Sequence, residues 1–198
     1  MKTLKNLIAS KHQTKASRFL GYLMPFDDFE KTLLQLKKEH FKAAHFVTAF
    51  RYCLEGKITE GFSDDGEPKG SSGMPMLSVL RREDLINIGL VSVRYFGGTL
   101  LGVGGLMKAY ATSALLCVEN AKRENAFKDF VELETLSAHY SYKELDALQR
   151  EIKKFSLQLS KKNFSNQSVE VEISGARENL QAFLQQNKMN LGRVVWNF

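Results

Sequence analysis

Two short stretches of the chain concentrate residues whose types and spacing can do chemistry. The first, RYFGGTLLGVGGLMKAY, runs from Arg94 to Tyr110 and holds Gly97, Gly98, Gly102, Gly104 and Gly105 between an apolar run and an Ala-rich one. Each glycine weakens a regular element by about 0.5–1 kcal/mol relative to alanine, so the cluster needs a physical reason. A strand that passes through glycines into a helix start offers unpaired N–H groups and the positive end of the helix dipole to an anion. Arg94 and Lys108 flank it with fixed charge, and Lys69 and Arg51 are candidates to extend the basic track. The competing reading is that the glycines only let a helix lie close on a strand. The residues alone leave both readings open. The stretch has neither the GK[ST] ending of a Walker A loop nor the full G-x-G-x-x-G dinucleotide fingerprint.

The second stretch is SDDGEPKGSSGMPML, Ser63 to Leu77, with Asp64, Asp65, Gly66, Glu67 and Pro68 at its head. Carboxylates suit hard cations, but this spacing fits no EF-hand. A surface turn leading into a helix capped by Ser71 or Ser72 is the favoured reading, with Pro75 in the first helical turn. No metal site, cofactor or catalytic residue is assigned. Cys53 and Cys117 match no metal spacing and sit in apolar company, as small buried hydrophobes do. His45 lies on an apolar run and reads as a hydrogen-bonded core residue. No Ser–His–Asp order, nucleophile elbow or zinc motif is present, which weighs against a hydrolase.

These stretches need a scaffold, and the chain has the means to build one. It holds 198 residues, 43% hydrophobic and 25% charged, in the range of ordinary globular domains rather than disordered or fibrous chains. No run approaches the roughly 20 apolar residues of a membrane span, and the basic N-terminus lacks the apolar core of a signal peptide, so a cytoplasmic location without membrane contact is expected. The formal net charge is +6. Residues 1–125 carry 18 Lys and Arg against 13 Asp and Glu, hence +5, which leaves +1 for 126–198. Such an excess favours polyanionic partners, though weakly.

Periodicity divides the chain into two α+β domains, 1–125 and 126–198. In the first, SRFLGYLMP, AAHFVTAFRYC, ITEGF and INIGLVSVRYF read as strands, the last buried on both faces. DDFEKTLLQLKKEHF, a short segment around MPMLSVLRR, and LMKAYATSALLCVEN read as helices, the last nearly free of charge. In the second, DFVELETLSAHY, SLQLSKKNF, SVEVEIS and MNLGRVVWNF read as strands, with Gly175 breaking the third. YKELDALQREIKKF and ARENLQAFLQQN are the helices. The order strand, helix, strand, strand, helix, strand is that of a ferredoxin-like split β-α-β unit.

The two motif stretches together resemble the paired signature of the IMPACT (YigZ-like) family, approximately SDDGEPxGTAGxPML followed by VxRYFGGxxLGxGGLxRAY. Ser71 and Ser72 replace its Thr-Ala, and Lys108 replaces its last Arg. AAHFVTAFR resembles the family's A-x-H-x-x-x-A-Y segment, with Phe50 in the Tyr place, and Lys15 to Phe19 resembles its K-S-x-F opening. The resemblance spans nearly all of residues 15–120, and the tail resembles the smaller C-terminal domain of bacterial members. It implies a first domain like the second domain of a small-subunit ribosomal protein. It implies a second domain like domains III and V of elongation factor G. Eukaryotic members regulate translation initiation through a kinase of an initiation factor, using an extra N-terminal domain that is not expected here, and some bind actin. Bacterial members carry a suspected nucleic-acid-binding role and no established reaction.

The leading expectation is therefore a non-enzymatic, translation-associated protein that binds RNA or a ribosome-associated surface through the glycine-lined anion site. One alternative is an enzyme acting on a small phosphorylated or carboxylated substrate, with Asp64, Asp65 or Glu67 as base or metal ligand. The other is a protein-binding adaptor.

Overall fold

The computed structural model describes residues 1–54, 56–165, 167–187 and 194–195, and the chain divides into two compact units, Met1–Phe130 and Val131–Phe198. In chain order the first unit contains β1 (Lys2–Leu4), β2 (Ile8–Thr14), β3 (Ser17–Pro25), α1 (Phe29–Glu39), β4 (His45–Leu54), β5 (Lys57–Ser63), α2 (Gly73–Arg82), β6 (Ile88–Tyr95), α3 (Gly102–Arg123) and β7 (Phe127–Asp129). Five strands form one antiparallel sheet in the order β2-β3-β6-β4-β5.

The apolar strand INIGLVSVRYF is the centre of that sheet, and every residue from Ile88 to Arg94 is buried. Alternate side chains serve two cores. Ile88 and Leu90 join Phe19, Leu23, Val47 and the apolar faces of α2 and α3. Val91 and Val93 join Met24 and the α1 residues Phe29 and Leu36. Helix α3 buries Leu106, Ala109, Tyr110, Ser113, Ala114, Cys117, Val118 and Ala121, a run at helical spacing dominated by small side chains. Those small residues let it lie close to the sheet, where the Ser113 and Ser92 hydroxyls meet at 2.9 Å. Cys117 Sγ meets Ser10 Oγ at 3.1 Å.

The structure adds two strands and shifts two bounds relative to the sequence reading. The first sixteen residues contain β1 and β2, which the polar pattern of IASKHQT concealed; β2 is a sheet edge that buries Ile8, exposes Lys11 and Gln13 and turns Ser10 towards α3. The break between units follows Phe130 rather than residue 125, because β7 pairs with β1 and so belongs to the first unit. Helix α3 begins at Gly102, ahead of the expected Leu106, so three of the glycines lie in its first turn.

The second unit contains β8 (Leu133–Ser141), α4 (Leu145–Lys154), β9 (Gln158–Phe164), β10 (Ser168–Ala176), α5 (Arg177–Gln186) and β11 (Val194–Val195). Its antiparallel sheet has the order β11-β8-β10-β9, so β10 lies between the strands flanking α4, a split β-α-β arrangement. Leu145, Leu148 and Ile152 of α4 pack with Leu180 and Phe183 of α5 against Val169, Val171 and Ile173 of β10. Gly175 does not break β10, where it pairs with Glu134. A Cβ on it would lie 2.3 Å from the Leu157 side chain, so the glycine makes room for a core residue while the strand continues. Of the expected last strand, Val194–Val195 pairs with β8, and the rest lies outside the described residues.

Burial pushes the Cys117 thiol up to about 12, so almost no reactive thiolate forms near neutrality. A thiol reagent at about pH 8 should therefore leave Cys117 unmodified in the folded protein and label it after unfolding, as read by peptide mass spectrometry. Labelling in the native state at the rate of an exposed thiol would contradict the packing of α3 on β2.

Candidate functional site

The two motif stretches converge on the carboxylate of Glu67. Strand β6 delivers Arg94 to the α3 side of the sheet, on the same face as Leu90 and Ser92. The first buried turns of α3 deliver Tyr110. Arg94 Nη1 donates to Glu67 Oε1 at 2.5 Å, and Tyr110 Oη donates to the same oxygen at 2.7 Å. The Arg94 and Glu67 side chains are 5% and 4% exposed. Burial first, and then the neighbouring Glu67 charge, push the Tyr110 phenol far above its ordinary range, so it remains a hydrogen-bond donor. Arg94 also donates to Ser17 Oγ at 3.3 Å, and that hydroxyl accepts the Gly97 N–H at 3.3 Å.

The rest of the acidic turn is equally engaged. Asp64 accepts the amides of Gly70, Ser72 and Gly73 at 2.7, 3.2 and 2.8 Å, and the Ser72 hydroxyl at 2.7 Å. Burial alone would raise its pKa, but the donation from Ser72 Oγ and the three amides outweighs that and holds the carboxyl below its usual range. Ser72 holds the N-cap position of α2, within the expected pair, but its side chain makes no capping bond; the Asp64 carboxylate accepts its amide and that of Gly73 instead. Asp65, at φ +46°, accepts the Phe46 amide at 2.6 Å, and its carbonyl accepts the His45 Nδ1–H at 2.8 Å. That bond leaves His45 Nε2 facing Glu67, 3.8 Å from Oε1. Gly66 takes φ +85° against the His45 ring, and the Pro68 carbonyl accepts the Ser71 amide. These acids therefore fasten the turn to α2, β4 and β6.

Two expected phosphate contacts are corrected by this geometry. Arg94 spends its charge inside the fold on Glu67. Arg51 is 9% exposed, and its guanidinium binds Glu60 and the carbonyls of Leu80 and Leu85, so it does not extend an exposed basic track. Lys69 and Lys108 are exposed.

The glycine stretch itself is open. Among the described residues, the amides from Gly98 through Gly104 find no protein acceptor outside the helix, Gly105 makes the first bond of the helix to the N-cap Leu101, and no side chain caps the α3 N-terminus. Gly98 and Gly102 have φ of +82° and +72° with nothing within 4 Å of an added Cβ, so they are required by backbone conformation and leave the main chain uncovered. Gly97 has a different reason, because a Cβ there would lie 2.0 Å from the Ala16 carbonyl carbon. Gly104 is helical, exposed and unobstructed, so nothing inside the fold requires it to lack a side chain. Lys15, beside Ala16, donates from Nζ to the Leu100 carbonyl at 3.1 Å. Phe96 is 50% exposed, with the Arg94 guanidinium 5.5 Å from its ring centre.

Sequence reasoning missed Ser17, Tyr110 and Lys15 as members of this region and placed His45 only in the core. All four lie within stretches already singled out, but their role depends on contacts 20 to 85 residues distant in the chain, from His45–Asp65 to Lys15–Leu100.

A two-unit α+β protein with a glycine-built turn, open amides and a buried Glu–Arg–Tyr cluster is the class that fold and site define. The Impact N-terminal domain model matches residues 15–118. A Haemophilus influenzae protein called an IMPACT family member is 31% identical over 96% of this chain and 93% of its own length. The Escherichia coli family member YigZ is 42% identical over 50% of this chain and 50% of its own. A solved structure of a hypothetical protein superposes with a TM-score of 0.75 at 23% identity, covering 99% of this chain and 97% of that one, and so shares the fold. The chain belongs to the IMPACT family.

Glu67→Gln leaves Arg94 buried without its counter-charge and should lower unfolding free energy by about 3 kcal/mol, the lower end expected for a broken buried pair. Arg94→Met combined with Glu67→Leu should lie closer to wild type in the same urea titration. Asp64→Ala should cost about 1–2 kcal/mol of stability. Because the folded pKa of Asp64 lies below the ordinary 3.8, its contribution is complete above that value and fades as pH falls through the folded one. The variant should therefore lose less stability than wild type on acidification below about pH 4.

Proposed function

We propose that the first unit binds RNA by its phosphate groups in a translation-associated role, with the open amides of Gly98–Gly104 as the anion site. The observation that carries the reading is this row of unengaged N–H groups running into an uncapped helix start. Backbone amides and the helix dipole together favour negative charge there. Lys15 stands beside the turn, and Lys69 and Lys108 are exposed cations of the two motif stretches. The half-exposed Phe96 ring favours a nucleic acid over an isolated anion, because one face can stack on a base. Family membership supports a link to translation, and the expected kinship of the two units to a ribosomal-protein domain and elongation-factor domains belongs to the same proposal.

The function is binding rather than catalysis. The carboxylates that an enzyme would use as base or ligand are occupied: Asp64 by four donors, Glu67 by Arg94 and Tyr110.

Filter binding with a short single-stranded RNA should give an affinity that falls as salt rises, with a log–log slope of about −0.7 per phosphate neutralised. Lys15→Ala should weaken binding and shallow that slope. Gly104→Ala should raise stability by about 0.5–1 kcal/mol while weakening RNA binding, because the added methyl improves the helix and covers the main chain. A flat salt response, or unchanged binding by both variants, overturns the proposal.

A further inference from the structure

A groove of about 620 Å³ separates α2 from α3, away from the Glu67 cluster. Its floor is made by Met74 and Val79 of α2 and Met107 and Ala111 of α3, and its rims carry Arg82 and Lys108 on opposite sides. No acidic side chain lines it. Glu83, the neighbour of Arg82, leans towards Lys122 at 2.6 Å and touches Arg82 only at 3.5 Å. The apolar surface continues along α3 towards its start, where Met107, Val103 and Leu100 are 45%, 56% and 80% exposed. Val103 and Met107 lie one helical turn apart on one face, with Leu100 one further step before the helix. Exposed apolar surface arranged in this way marks an interaction site rather than chance exposure.

We propose that this groove docks an acidic amphipathic helix of a partner protein. Two helices wall the groove, so it has no free strand edge to hydrogen-bond an extended peptide, and the occupant must bring its backbone already satisfied. A helix does so, and presents side chains at i, i+3/i+4 and i+7 to a linear apolar floor. The methionine pair suits such a guest, because unbranched thioethers repack around varied side chains. The cations on both rims select acidic flanks, and the absence of lining carboxylates removes repulsion. The floor carries no aromatic ring on which a base could stack, which favours a helix over RNA in this groove. The surface is separate from the amide site, although Gly104 and Lys108 border both.

The test uses the full chain and a fluorescein-labelled synthetic helix of about 16 residues, with Leu at the i, i+4, i+7 and i+11 spacing and Glu on its flanks. Fluorescence anisotropy should show saturable binding that weakens at least about tenfold, roughly 1.4 kcal/mol, with either Met107→Glu or Arg82→Glu. Both residues are exposed, so thermal unfolding should remain near wild type. The same peptide with Lys for Glu should not bind, and Lys15→Ala should leave peptide binding intact, which separates this result from the RNA proposal. Absence of binding, equal binding of the Lys peptide, or indifference to both variants overturns the inference. A concentration-dependent dimer in sedimentation that Met107→Glu abolishes assigns the groove to a second copy of this chain and also overturns it. RNA binding that Met107→Glu abolishes would assign it to nucleic acid, with the same consequence.

Discussion

A single buried carboxylate holds the first unit's two motif stretches in register. Glu67 arrives on a turn between β5 and α2, Arg94 on the central strand and Tyr110 on α3, and all three meet at one oxygen. A charge with 4% of its side chain exposed is tolerable only with strong partners, so these elements cannot drift apart without uncovering it. Through Ser17, the same cluster fixes the Gly97 amide and the exit of β6. The glycine turn is thereby anchored at its start, and among the described residues the amides from Gly98 to Gly104 have no acceptor outside the helix.

That arrangement separates two roles that look alike in sequence. Charged residues of both motif stretches are mostly structural: Asp64 caps α2, Asp65 ties the turn to β4, and Arg94 neutralises Glu67. The binding surface we propose is largely main chain, supplemented by side chains outside the most polar part of the motifs, such as Lys15 and Phe96. An interface built this way keeps its geometry under changes of surface charge, because the amides are set by φ at Gly98 and Gly102 rather than by rotamers. The helix that begins there also forms one wall of the apolar groove, so α3 presents backbone polarity at its first turn and hydrophobic surface along the next two.

Much of the scaffold was legible in the sequence because its signals were local. The unbroken apolar run of β6, the small-residue face of α3 and the alternation of SVEVEIS follow directly from burial on two faces, close packing and burial on one face. The strand IASKHQT was not legible, since an edge strand with one apolar anchor has no run for periodicity to detect. Gly175 misled for a related reason: its use is room for Leu157, a contact invisible along the chain. At the site, the order of strand, glycines and helix raised open amides as one of two readings, whereas it gave no sign of the fate of Arg94. Whether an arginine faces solvent or a carboxylate 27 residues away depends on which strand face it occupies, and only the folded sheet decides that.

The most direct test of the account is a ¹H–¹⁵N amide titration of the full chain with a short single-stranded RNA. The account predicts that Gly98, Thr99 and Gly102–Gly104 shift first and furthest, with the Gly97 amide held by Ser17 moving less. Shifts confined to other surfaces, with those amides unmoved at saturation, would contradict it.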